Sequence, residues 1–69
     1  MLKRFSHFVD KGQHKGYYRD YGTLAAAMRN HSREVKKPDT TRSVVREYSE
    51  DSGELLKQWA DWQPRRANA

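Results

Sequence analysis

The chain has 69 residues, with 14 Lys and Arg against 9 Asp and Glu, a formal net charge of +5 and no cysteine. Such a length gives a single domain with a thin core, rules out a disulfide scaffold, and holds no apolar run near the roughly 20 residues of a membrane-spanning helix. Lys3 and Arg4 are not followed by the apolar stretch of a secretory leader, so a cytoplasmic setting is expected. Isoleucine is absent and 35% of residues are apolar. The aromatics, Leu and Val must therefore fill the core, and a homodimer or a bound partner is the expected further source of stability.

In chain order, Phe5, His7 and Val9 share one face of a strand that ends at the turn signal Asp10-Lys11-Gly12. Leu2, Phe5, Phe8 and Val9 also fall on one helical face, but the aromatic-rich run with its turn signal favours the strand. Tyr17 to Tyr21 follows as a second strand, with Tyr17, Arg19 and Tyr21 on one side and Tyr18 and Asp20 on the other. Gly22 breaks the run and Thr23 is a suitable N-cap. Leu24, Ala27, Met28, His31 and Val35 then mark the inner face of a helix over 23–36, stopped by Pro38. Thr40 to Ser49 is rich in β-branched residues and reads as a strand.

Residues 54–63 support two readings. Leu55, Leu56, Trp59 and Trp62 have helical spacing behind an Asp51/Glu54 capping box, whereas a turn at Gly53 would make the segment the second strand of a hairpin. The fold class expected is α+β: a small antiparallel sheet with one main helix, β-β-α-β plus a C-terminal strand or short helix. The alternative is an all-α three-helix bundle. Residues 1–63 form the single domain and 64–69 a disordered tail.

Candidate chemistry is sparse. His7, His14 and His31 lack the short spacing that puts two imidazoles on one metal. The glycines at 12, 16, 22 and 53 are dispersed and make no phosphate loop, so neither metal nor cofactor is expected. A ribonuclease-like centre from His14 and His31 with a tyrosine and an arginine is chemically conceivable, but no nucleophile elbow occurs and no enzyme is expected.

Charge is more informative. Residues 1–46 hold eleven Lys and Arg against four Asp and Glu, a net of +7, while residues 47–62 hold one against five, a net of −4. This split suits a polyanion partner held by one part of the surface. Leu24–Met28 with Val35 is faintly similar to the opening of a helix-turn-helix unit. Arg29 stands where a turn glycine is usual, however, and Pro38 would interrupt the recognition helix. The expected function is non-enzymatic nucleic-acid binding, regulatory or accessory, with DNA the favoured target. Lys15, Tyr17, Arg19, Arg29, Arg33, Lys36 and Lys37 are the binding candidates. The alternative is a small adaptor or inhibitor that contacts a protein through Tyr48, Trp59 and Trp62 beside the acidic segment.

Overall fold

Two antiparallel hairpins flank a single helix. In the computed structural model, which describes residues 3–12 and 14–64, the order is β1 (Lys3–Lys11), β2 (His14–Tyr21), α1 (Leu24–Glu34), β3 (Thr40–Ser49) and β4 (Leu55–Trp62). Every neighbouring pair is antiparallel and the sheet order is β2-β1-β3-β4. The architecture is thus the expected α+β one, and the three-helix alternative is not observed. The ambiguous segment is a strand, paired with β3 from Ser43↔Trp62 to Tyr48↔Leu55. Glu54 therefore caps no helix. Residues 65–69, most of the expected tail, lie outside the described residues.

Local chemistry explains the boundaries. Thr23 Oγ1 accepts from the Ala26 N–H at 3.2 Å and starts α1. After Val35 the chain turns and enters β3 directly, so α1 is the only helix among the described residues and no helix-turn-helix unit forms. Gly53 has φ +73°, and its N–H reaches the Ser49 carbonyl at 2.7 Å, closing the β3–β4 turn. Gly16 is required for a different reason: a β-carbon there would collide with the Val9 carbonyl across the β1–β2 hairpin.

Register sorts the sheet into two faces. Phe5, His7 and Val9 align with Glu47, Val45 and Ser43 on one side and with Tyr21, Arg19 and Tyr17 on the other, forming the inner face. The helix lies over β1, β3 and β2 but not over β4. Val9, Ala27 and Val45 are buried in this layer. The same layer also buries His7, Ser43 and Glu34, so much of what joins helix to sheet is hydrogen-bonded rather than apolar. The outer face carries Ser6, Phe8, Tyr18, Val44 and Arg46, and among the described residues no element covers it.

Candidate nucleic-acid interface

Three of the sequence candidates converge. Arg19 projects from the inner face of β2, and Arg29 and Arg33, one turn apart on α1, face it across a groove of about 210 Å³ that Tyr21 and Asn30 also line. All three arginines are exposed. Among the described residues no carboxylate lies within ion-pair distance of any of them. Asp20, next to Arg19 in the chain, alternates to the outer face, where Ser6 Oγ donates to it at 2.5 Å and Arg4 lies 3.7 Å away. Three guanidiniums without a counter-ion around one concavity can take phosphate or carboxylate oxygens in bidentate fashion.

The other candidates separate. Lys15 is exposed on β2 and Lys36 is exposed past the end of α1, neither of them in the groove. Lys37 is held by Glu34, Nζ to Oε1 at 2.5 Å. Glu34 also takes Lys11 Nζ on Oε2 at 2.6 Å, and Lys11 donates to Thr40 Oγ1 at 3.0 Å. Burial alone would raise the Glu34 pKa, but the hydrogen bonds and charges of Lys11 and Lys37 outweigh it and hold the carboxyl low. Burial likewise works to lower Lys11, and Glu34 with Asp39 reverses it upward. The pair is a structural lock between α1 and the end of the central β1–β3 ladder.

Tyr17, itself 39% exposed, caps a second assembly whose centre, His7 and Ser43, is buried. Asn30 Nδ2 donates to the Tyr17 hydroxyl at 3.1 Å and to His7 Nδ1 at 3.0 Å. That fixes the His7 proton on Nε2, which donates to Ser43 Oγ at 2.6 Å; the Ser43 hydroxyl then donates to His31 Nδ1 at 2.7 Å. His7 also meets the Tyr17 and His31 rings edge-on. Burial, with His31 nearby and Glu34 in partial opposition, lowers the His7 pKa to about 4, and burial lowers that of His31 too. Ser43, the hydroxyl at the centre, has no exposed surface from which to attack a substrate. The arrangement clamps α1 to the sheet. The side chain of His14, the other member of the ribonuclease-like constellation, lies outside the described residues.

The outer face holds residues that sequence reasoning did not single out. Phe8 and Tyr18 stack with centroids 5.4 Å apart and planes at 18°. The Arg46 guanidinium sits 5.6 Å from the Phe8 centroid. Arg42 is paired with Asp61 at 2.9 Å. The signal was present as the alternation of Tyr17 and Tyr18, but choosing the more exposed member requires knowing which side the helix covers.

Of the alternative set, Tyr48 lies on the outer face beneath Arg4, while Trp59 is 40% exposed, donates to Glu47 Oε1 at 2.9 Å and has Lys57 Nζ 3.8 Å over its ring. Trp62 is half-buried on β4, and Leu55 and Leu56 of the same strand are exposed. Among the described residues no helix is long and apolar enough to cross a membrane. Comparisons with family models, curated proteins and solved structures give no match.

Proposed function

We propose that this chain is a non-enzymatic nucleic-acid-binding protein of regulatory or accessory type, gripping phosphates in the groove between β2 and α1. The observation that carries the reading is the groove itself: Arg19, Arg29 and Arg33 face a common space with no carboxylate among the described residues to neutralise them. The net charge of +5 adds a favourable long-range field. Lys15 and Lys36 extend the basic surface as outlying contacts, whereas Lys37 is spent on Glu34.

Fluorescence anisotropy with labelled duplex DNA, single-stranded DNA and RNA at two salt concentrations tests this. With about three phosphates neutralised, log K should fall with log salt at a slope of roughly −2.7 on duplex and roughly −2 on single strands. Replacing Arg29 and Arg33 by alanine should reduce that slope by about 2 on duplex. Absence of binding at micromolar protein in low salt would end the proposal.

A protein-contact role has one observation in its favour. Leu55, Leu56 and Trp59 lie exposed on the same uncovered edge strand. A pull-down surviving nuclease and high salt, and lost on Trp59→Ser with Leu56→Ser, would favour that role over the groove.

A further inference from the structure

Tyr18 and Arg19 are consecutive on β2, an edge strand of the sheet, so they project to opposite faces across one thickness of backbone. Arg19 opens the arginine groove on the helix side. Tyr18, 62% exposed, stands on the outer face against Phe8, which has Arg46 on its β3 side. A concavity of about 480 Å³ adjoins the stack, lined by Asp10, Arg42, Val44 and Arg46 among others.

We propose that the β2 edge is a saddle for single-stranded nucleic acid: its phosphates lie in the Arg19/Arg29/Arg33 groove and a base folds over the edge to stack on Tyr18. This deepens, and rests on, the groove reading above. Two features select a single strand. The outer face is not a phosphate track: Arg42 is neutralised by Asp61, Arg4 faces Asp20, Asp10 adds a further carboxylate, and Arg46 is engaged by the Gln58 amide oxygen and the Phe8 ring. What that face offers is an aromatic ring with most of its surface in water, to which any base can stack. Passing from one face to the other also demands a backbone that turns sharply within a nucleotide or two. A single strand does so readily; a duplex, stiff over about 150 base pairs, does not.

The test compares fluorescein-labelled dT15, U15 and a 15-base-pair duplex by anisotropy at one low salt concentration, with the wild-type chain, Tyr18→Ala, Tyr18→Phe and Arg29→Ala/Arg33→Ala. The two homopolymer arms distinguish DNA from RNA as the source of the same stacking chemistry. The saddle is supported when a single strand binds more tightly than the duplex and Tyr18→Ala loses about tenfold on it, some 1.4 kcal/mol. Tyr18→Phe should retain affinity, since the ring and not the hydroxyl is used. Circular dichroism checks that Tyr18→Ala remains folded; if it does not, Tyr18→Leu, which still covers Phe8 but has no ring, takes its place, and single-strand affinity equal to the wild type's would overturn the saddle.

Equal binding of duplex and single strand, or indifference to Tyr18→Ala while Arg29→Ala/Arg33→Ala still weakens binding, overturns the saddle and leaves the groove standing. Loss of all three probes by the wild-type chain overturns both. A light-scattering dimer that Tyr18→Ala converts to monomer assigns the outer face to a second copy and likewise overturns the saddle.

Discussion

His7 has no exposed surface and its Nδ1 already accepts from Asn30, so adding a proton there breaks a hydrogen bond as well as charging a buried ring. In the unfolded chain the same imidazole titrates near 6.5, whereas in the fold its pKa is about 4. Because the folded value is the lower one, the neutral-form stability is complete above pH 6.5 and is lost as pH falls toward 4, by about 3 kcal/mol. His31 adds to the loss in the same direction. Glu34 and Asp61, whose pKa values are lowered, act only at more acid pH, as carboxylates begin to protonate in the unfolded chain. Urea midpoints should therefore be level from pH 9 to 7 and drop between 6.5 and 4; a midpoint unchanged from pH 7 to 5 contradicts the assignment. Glu34 gives a sharper contrast. With 2% exposure it neutralises the nearly buried Lys11, so Glu34→Gln should cost about 3–5 kcal/mol in chemical denaturation. Removing the half-exposed partner by Lys37→Ala should cost under about 1 kcal/mol.

The elements differ in how openly the sequence declares them. Helix α1 was legible because Thr23, an i, i+3, i+4 apolar face and Pro38 agree with one another. Even so, the face hides Glu34, an acid whose burial Lys11 and Lys37 together make tolerable, and its buried partner Lys11 is 23 positions away. β4 was legible only as one of two readings, strand or helix, for a reason visible in its register. Arg46↔Gln58 follows Val45↔Ala60, and Tyr48↔Leu55 follows Glu47↔Lys57, so Trp59 and Leu56 are each an extra residue bulged out of the ladder. Two bulges three residues apart shift the alternation twice and leave apolar residues at 55, 56, 59 and 62, a spacing that imitates a helix. The arginines of the groove were legible as cations, but their meeting depends on α1 crossing β2, which no local pattern encodes. The hairpins offer a direct check. Gly16→Ala must push the Val9 carbonyl out of the β1–β2 ladder and should cost about 2 kcal/mol. The same change at the open, surface-exposed Gly22, where nothing lies within 4 Å of a β-carbon, should cost much less. Comparable midpoints for the two variants would show that the close approach does not constrain the hairpin.

Across the whole molecule, strand order turns the uneven charge of the sequence into a polarity of the sheet. The arginine groove borders β2 at one edge, while Glu50, Asp51 and Glu54 are exposed in the turn leading to β4 at the other. A polyanion is drawn to the first edge and repelled from the second. Replacing Asp51 and Glu54 by lysine should raise affinity for nucleic acid while leaving the salt slope unaltered, because no new phosphate is contacted. A steeper slope would instead mean that the strand runs along β4. The placement of Trp59 and Trp62 on β4, outside the cover of α1, has a further consequence. Both indoles of the chain sit on the sheet edge away from the groove, one of them beneath a lysine ammonium. Intrinsic tryptophan emission is thus an optical gauge of the β3–β4 hairpin. It follows the unzipping of that edge in a denaturation experiment and stays dark to a ligand seated between β2 and α1.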